Sequence, residues 1–525
     1  MCGIFSYKGT KFSKDDLLDS IELIRYRGPD NSKYQSIDED VFFAFHRLSI
    51  VGITELGNQP LKLKDDSSLT LICNGEIYNF KNLAKKYGFK LTTGSDCEII
   101  LHMFKKFGID KTVIELDGVF MFVLYDDTSR ILYSARDPYG VRPGFVGYNN
   151  NEIFISSEAK TLVNHCSKII PFKPGCWWTS KNDKFIKYHK LNLITLKKNS
   201  IYNDINNILR KSVKKRLMSD RKIGCLLSGG LDSSLIAGIV ANYVGDNLDT
   251  FSIGMPGSVD LHYADKVAQF ISSNHHHVEI SEKDFLDSID KVIYNIESFD
   301  ITTVRASVGN YLISKYINEN TDCKVIFNGD GSDEVCCGYF YLKNAPSPLL
   351  LQEESKRLID EIYLFDVLRS DRSISSNGLE PRTPFLDKKF VEYYYSIPPE
   401  LKMFDGDKKI EKFILRKAFE NDNILPDDIL WRNKCAFSDG VSNNNKSWHN
   451  IINDYFDAII KDSEFNSEVV KYNHCSPISK ESYYYRKVFE RYFGVQNDLI
   501  PHYWMPKWAN VSDPSAREID EYKEN

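Results

Sequence analysis

Over the first 190 positions or so, apolar residues come in short runs between Gly, Pro and Asn turns, at the length and spacing of strands. Val41 to Phe45, Leu69 to Cys73, Val119 to Leu124, Ile131 to Ala135 and Ile153 to Ser156 are such runs, and helical patterns intervene at Lys14 to Arg25 and Cys97 to Phe107. An α+β layered domain is expected here. From Leu191 to Ser200 the chain turns polar and rich in Lys and Asn, and a helical pattern over Ile201 to Leu217 follows. That change marks a domain boundary. Beyond it, strand, glycine-rich turn and helix recur: Ile223 to Leu227 before Ser228-Gly229-Gly230, Thr250 to Ile253 before Gly254, and Val325 to Phe327 before Asn328-Gly329. The series predicts a parallel sheet covered by helices, with ligands at the carboxyl ends of its strands. From Leu349 the pattern is mostly helical, and the charged tail from Asp513 is expected to be mobile. The sequence contains no internal repeat.

Composition narrows the classes. A chain of 525 residues that is 42% hydrophobic and 27% charged is globular, with roughly two to four domains. Lys and Arg number 67 against 73 Asp and Glu, a net charge of −6 with no long run of one sign, which argues against nucleic acid as a partner. The longest apolar stretch, Val119 to Tyr125, falls far short of the ~18 residues a membrane span needs. The first residues, MCGIFSYKGTKFSKDD, meet glycine and charge before a signal-peptide core could form, so a cytoplasmic protein is expected. The 11 cysteines are odd in number, irregularly spaced and without C-x-x-C, which suits a reducing compartment and disfavours a disulfide framework or a zinc site.

Cys2 follows Met1, which is expected to be removed before a small residue. A thiol and a free α-amine would then share one residue, and an amine of pKa about 8 can accept the thiol proton. Cys2-Gly3-Ile4, Arg27-Gly28-Pro29-Asp30, His46-Arg47-Leu48-Ser49-Ile50-Val51, Asn74-Gly75-Glu76-Ile77-Tyr78-Asn79, Ser95-Asp96, Arg136-Asp137, Arg142-Pro143 and Ser156-Ser157-Glu158 occur in that order. Together they resemble the class II glutamine amidotransferase domain, an N-terminal-nucleophile sandwich (αββα), over residues 2–188. The resemblance implies hydrolysis of glutamine through a thioester on Cys2, with Asn74 and the Gly75 N–H around the oxyanion. It further implies glutamine binding by Arg47, Leu48, Ser49, Ile50, Val51, Asn74, Gly75, Glu76 and Asp96. Such roles suit the side chains: a guanidinium grips the ligand carboxylate in a bidentate pair, and carboxylates hold its ammonium.

After the Ile223 to Leu227 run, Ser228-Gly229-Gly230-Leu231-Asp232-Ser233-Ser234 opens a helix, and N–H and hydroxyl donors at a helix start make an anion site. The loop lacks G-x-x-x-x-G-K-[ST] and its lysine, so it is not of the type that delivers a γ-phosphate. S-G-G-x-D-S-S resembles the PP-loop of ATP pyrophosphatases, which cleave ATP between the α and β phosphates. A second acidic turn, Asn328-Gly329-Asp330-Gly331-Ser332-Asp333-Glu334, should reach the same sheet edge. Asp232 and Asp333 are the expected Mg²⁺ ligands.

A glutaminase joined to a PP-loop resembles glutamine-hydrolysing asparagine synthetase, from Cys2 to about Arg517. Ser252-Ile253-Gly254, Thr302-Thr303-Val304-Arg305-Ala306-Ser307, Pro384-Phe385-Leu386-Asp387 and Trp431-Arg432-Asn433-Lys434 extend the match. The likeness implies an α/β parallel-sheet PP-loop domain with a helical C-terminal part over residues 200–512, and a charged tail at 513–525. Its implied reaction takes aspartate, glutamine and ATP with Mg²⁺. The aspartate β-carboxylate is adenylated, pyrophosphate leaves, and ammonia channelled from Cys2 displaces AMP. Leu226, Ile253, Asn328 and Gly329 match adenosine contacts, and Ser228, Gly229, Gly230, Asp232, Ser233 and Ser234 match the pyrophosphate loop. Asp330 matches a residue tied to the intermediate, and Arg305 and Lys434 match stabilisers of phosphate charge. A homodimer is compatible with the family, although the sequence does not show the oligomeric state. His275-His276-His277 are expected to flank a strand.

Two departures and one insertion set this chain apart. Asn328 and Asp330 stand where the family commonly has serine and glutamate, and a carboxylate shorter by one methylene sits back by about 1.5 Å. Cys336-Cys337-Gly338-Tyr339 replaces F-G-G-Y, and a polar insertion spans Ser442 to Ser447. Other readings are a related enzyme activating a different carboxylate, such as a β-lactam synthetase, and a catalytically impaired glutamine- or ATP-binding sensor.

Overall fold

Along the strand Gly3–Lys8, Ile4 enters one apolar core while Phe5 and Tyr7 enter another. The strand Val41–Arg47 divides in the same way, with Phe43 and Phe45 in the first core and Phe42 and Ala44 in the second. Each sheet is covered on both faces, so its strands read as continuous apolar runs rather than as an alternation. The computed structural model describes residues 1–191, 200–406, 409–433, 440–442, 446–509 and 513–514. Lys434, residues 192–199 of the polar linker, 443–445 of the insertion and 515–525 of the tail lie outside the described residues.

Two antiparallel sheets of six strands build the first half. In spatial order one comprises Lys168–Pro171, Phe145–Asn149, Glu152–Ser156, Gly3–Lys8, Val41–Arg47 and Asn31–Asp38. The other comprises Ile186–Lys187, Cys176–Thr179, Ile131–Arg136, Gly118–Asp126, Asp66–Ile77 and Leu61–Leu63. Ile4, Phe45, Ile72, Met121 and Trp178 fill the space between them. The helix Lys14–Glu22 covers the outer face of the first sheet through Leu17 and Ile21. The helix Glu98–Glu115 covers the second through Ile99, Ile100 and Met103. That helix runs past the expected end at Phe107, broken only at Gly108, whose φ of 73° lies in the left-handed region.

The second half is built on five parallel strands in the order Asn274–Glu279, Asp249–Gly254, Lys222–Leu226, Cys323–Phe327 and Glu380–Arg382. The chain winds outward both ways from Lys222–Leu226, so its switch point lies between that strand and Cys323–Phe327, where a crevice opens at the carboxyl ends. The helix Leu231–Val244 packs on one face through Leu235, Ile236 and Ile239. The helix Ile301–Asn320 packs on the other through Val304, Val308 and Ile317. His275 to His277 form the edge strand itself instead of flanking one. His275 is held between the hydroxyls of Thr250 (2.8 Å) and Ser252 (2.9 Å) on the neighbouring strand, which is why polar residues pair there.

The two halves meet through buried charge. Arg27 donates to Glu158 (2.5 Å), Ser375 (2.8 Å) and Asp371 (3.0 Å), and Arg142 lies 3.6 Å from Asp371 and 3.7 Å from Glu380. Burial alone would raise the Glu158 carboxyl, but Lys160 and Arg27 outweigh it and hold the group well below the ordinary carboxylate range. Its contribution to stability is therefore present above the unfolded carboxylate pKa and is lost as pH falls toward the depressed folded value. Arg27→Met leaves Glu158 and Asp371 short of a buried cation, so unfolding in urea at neutral pH should show a loss of about 3–5 kcal/mol.

Candidate active sites

Cys2 enters the first sheet directly ahead of Gly3–Lys8. Its backbone N–H donates to Asn74 Oδ1 (3.1 Å), its thiol to the Leu48 carbonyl (3.7 Å), and its carbonyl accepts from Arg27 Nε (3.1 Å). Burial pushes the thiol up to about 11, partly offset by the terminal amine. That amine, on Met1, is driven down to about 6 by burial, so an amine in this enclosure is mostly neutral near pH 7.

Asn74 and Gly75 lie in the strand Asp66–Ile77, next to the edge of its sheet. With Oδ1 on Cys2, the buried Asn74 Nδ2 has no protein hydrogen-bond partner, a donor left over for a ligand. Gly75 has φ 156°, and a Cβ there would lie 2.2 Å from the Val119 carbonyl oxygen, so only glycine fits. Carbonyls of Thr54 (2.8 Å) and Gly52 (2.5 Å) and Asn58 Oδ1 (2.7 Å) orient Arg47. Asp96 accepts from the Ile77 N–H (2.5 Å), yet burial raises it to about 6. Burial and the nearby Asp96 push Glu76 well above the carboxylate range. Two buried carboxylates that resist ionising together make a receptor for a cation.

Leu48 and Ile50 turn their side chains into core, the Ser49 N–H donates to Asp30 (2.8 Å), and Val51 is half-buried. This segment therefore presents backbone, as the Cys2–Leu48 contact illustrates.

At the switch point of the parallel sheet lies a cavity of about 340 Å³. Leu226, Ser228, Gly230, Asp232, Ser233 and Ile253 line one side. Asn328, Gly329, Asp330, Asp333 and Arg305 line the other. Gly229 and Ser234 are not on its wall. Gly229 takes φ 70° with Tyr263 behind it, and Ser234 is fully buried with its N–H on the Gly230 carbonyl (3.1 Å).

The cation between the two acidic turns is Lys412, which no sequence motif flagged. Its Nζ lies 2.5 Å from Asp232 Oδ2 and 2.6 Å from Asp333 Oδ1, and Asp232 Oδ1 accepts from the Ser332 hydroxyl (2.8 Å). Burial would lower this ammonium, but Asp232 and Asp333 prevail and raise it. Gly338 makes the room, since a Cβ there would come within 1.9 Å of Lys412 Cε. Cys337 next to it has φ 56°, the left-handed conformation that suits the glycine this position has in the resembled family.

Arg305, expected to face phosphate, is already neutralised. It pairs with Glu481 (2.7 and 2.5 Å) and Asp513 (3.1 and 2.8 Å). Asp513 and Pro514, expected at the head of a mobile tail, thus sit at the cavity. Asp330 Oδ1 accepts from Arg369 (2.8 Å), and Arg369 also pairs with Asp366. Glu334 takes the Tyr339 hydroxyl on one oxygen (2.6 Å) while the other is buried without a hydrogen bond, and burial together with Asp366 and Asp333 raises it. No group of three or more His, Cys, Asp or Glu able to hold a metal occurs among the described residues.

The glutamine amidotransferase family model matches residues 1–219, and the asparagine synthase model matches 204–352 and 343–512. Glutamine-hydrolysing asparagine synthetases of Rattus norvegicus and Homo sapiens are each 43% identical to this chain over 564 and 563 residues, covering all of it and 99% of their own length. The chain belongs to the glutamine-hydrolysing asparagine synthetases. Its relative from Gallus gallus is 42% identical over 568 residues, with the same coverage. Among solved structures, a glutamine phosphoribosylpyrophosphate amidotransferase from B. subtilis covers 48% of the chain and 66% of its own at 17% identity and a TM-score of 0.32, too loose a match to carry any conclusion. The two family matches overlap at residues 204–219, within the helix Ile201–Arg216 and the turn after it.

Proposed function

We propose that this synthetase makes asparagine from aspartate, glutamine and ATP by two reactions in separate sites of one chain. The carrying observation is that a half-buried cysteine beside an unpartnered Asn74 amide and a switch-point cavity around Lys412 occur together in a chain matching the family from end to end.

With Met1 removed, the Cys2 amine takes the thiol proton and sulfur attacks the glutamine amide carbon. Asn74 Nδ2 and the Gly75 N–H stabilise the oxyanion, Arg47 grips the α-carboxylate, and Glu76 with Asp96 holds the α-ammonium. Leu48, Ser49, Ile50 and Val51 contribute backbone to the same pocket. Collapse of the intermediate releases ammonia as the Cys2 ammonium returns its proton to the leaving nitrogen, and water then frees glutamate from the thioester.

In the second site a β-carboxylate oxygen of aspartate attacks the α-phosphorus and the bond to the pyrophosphate oxygen breaks. Ser228, Gly229, Gly230, Ser233 and Ser234 form the turn that receives the pyrophosphate, and Leu226, Ile253, Asn328 and Gly329 hold the adenosine. Lys412 holds Asp232 and Asp333 together and offsets their charge, so that the leaving pyrophosphate does not face two bare carboxylates. Ammonia attacks the acyl carbon, AMP departs with its oxygen, and nitrogen loses a proton. Arg305 acts at one remove, holding the Glu481 and Asp513 segments against the cavity, and Lys434 is the family's match for a further phosphate contact. Asp330, oriented by Arg369, is placed to position the intermediate. Asp232 and Asp333, which meet at Lys412, are the carboxylates that would hold Mg²⁺, and the ion would supply charge neutralisation to the phosphates.

The ten described cysteines are free thiols, in keeping with a cytoplasmic setting, and no helix among the described residues is long and apolar enough to cross a membrane. The test is asparagine synthesis from amide-labelled glutamine with ATP, Mg²⁺ and aspartate, following pyrophosphate and label together. Labelled asparagine is expected; no aspartate-dependent pyrophosphate with either glutamine or ammonium overturns the reading. Asn74→Ala should lower glutamine hydrolysis by about 10²–10³ while sparing ammonium-dependent synthesis, as seen by comparing the two nitrogen sources.

A further inference from the structure

The edge strand Glu380–Arg382 belongs to the parallel sheet, yet its two charged residues face the glutamine site. Arg382 Nε donates to Glu380 (2.5 Å), and Nη1 donates to the Arg216 carbonyl (3.0 Å). Its third nitrogen, Nη2, is buried without a hydrogen bond, 3.7 Å from Glu76 Oε2, which is likewise buried without one. Two buried opposite partners just outside bonding distance form a contact that can tighten. On the other side of the same residue, the Arg382 carbonyl accepts from the Asn328 N–H (3.1 Å), the first residue of the acidic turn. Asn328 in turn holds Ser370 (2.9 Å) through Nδ2.

We propose that Arg382 is the positioning residue through which glutamine bound at Glu76 and Asp96 acts on the nucleotide site, and through which the loaded nucleotide site promotes glutamine hydrolysis. This rests on the reading of Glu76 and Asp96 as the ammonium site. Without glutamine, burial and the neighbouring Asp96 disfavour a charged Glu76, so Arg382 stays with Glu380. An ammonium between the two carboxylates favours their charged forms, and a charged Glu76 draws Nη2 inward. Arg382 is then shared between Glu76 and Glu380, and its backbone carries the adjustment to Asn328. Glutamine interacts differently with the two arrangements, the condition for shifting one against the other. The coupling must be reciprocal, so ATP and aspartate favour the arrangement that grips glutamine.

The experiment measures glutamine hydrolysis with and without ATP and aspartate, glutamate formed per asparagine, and ammonium-dependent synthesis. The proteins are wild type, Arg382→Met, Arg382→Lys and Glu380→Gln. In the wild type, ATP and aspartate should lower the KM for glutamine about 5-fold or more. Arg382→Met should remove that effect and raise the glutamate-to-asparagine ratio several-fold, with ammonium-dependent synthesis within about 2-fold of wild type; Arg382→Lys should recover part of the response. In Glu380→Gln, where the competing carboxylate is gone, the KM without ATP should already approach the stimulated value. An unstimulated wild type, an unaltered response in Arg382→Met, or parallel loss of ammonium-dependent synthesis in that variant overturns the proposal. If Arg382→Met does not fold, Glu380→Gln decides, and a KM as dependent on ATP as in wild type overturns it. A wild type that hydrolyses no glutamine fails the underlying reading instead, and is distinguished because no variant is then needed.

Discussion

The Cys2→Ala protein is expected to form asparagine from ammonium at close to the wild-type rate and essentially none from glutamine. Its glutaminase kcat/KM should fall by roughly 10⁴ or more, since removing a nucleophile leaves only binding and oxyanion stabilisation. The thiol makes one weak contact, to the Leu48 carbonyl at 3.7 Å, so alanine leaves little unsatisfied and the fold should stand. Amide-labelled glutamine and labelled ammonium supplied in separate reactions give the measurement. Equal loss with both nitrogen sources would place Cys2 in the structure rather than in the chemistry. In the wild type, hydrolysis should rise with pH as the Cys2 α-amine loses its proton, with a midpoint below the ordinary α-amine range. The direction follows because burial disfavours the cation, so the neutral base is present above the lowered value and lost below it.

Lys412→Ala should carry the second large effect, a fall of about 10²–10³ in aspartate-dependent pyrophosphate release with either nitrogen source. The substitution removes the cation that joins Asp232 to Asp333 and leaves two carboxylates facing each other across the phosphate site. Lys412→Arg should recover little, because Gly338 leaves clearance for a slim methylene stem and the planar fork is broader. Glutamine hydrolysis measured without ATP serves as the control for folding and should be unchanged. Pyrophosphate release retained within a few-fold would remove Lys412 from the adenylation step.

Much of the architecture was legible because its signals are local. Val41 to Phe45 and Val119 to Leu124 read as strands from their apolar runs, and Ser228 to Ser234 read as a phosphate turn from its glycines and hydroxyls. Asn274–Glu279 and Glu380–Arg382 were not read as strands. H-H-H and E-P-R carry no apolar pattern, and both become strands by pairing with a neighbour already in the sheet. Arg305 was legible as a cavity residue, but its neutralisation by Glu481 and Asp513 joins positions 176 and 208 residues apart. Lys412 stands in no motif, because the acids it joins, Asp232 and Asp333, are distant in sequence.

The parts on which the proposed chemistry rests are local in the sequence: Cys2, the Asn74-Gly75 pair, a glycine- and hydroxyl-rich turn at a helix start and a second acidic turn. Each is a short run whose function follows from backbone geometry and adjacent side chains. Which charges meet depends on how distant segments pack. Lys412 reaches Asp232 across 180 residues, and Arg382 approaches Glu76 from the other half of the chain. A buried ion belongs where an opposite charge offsets its lost hydration. That place is set by how the sheets stack, which no local stretch of sequence encodes.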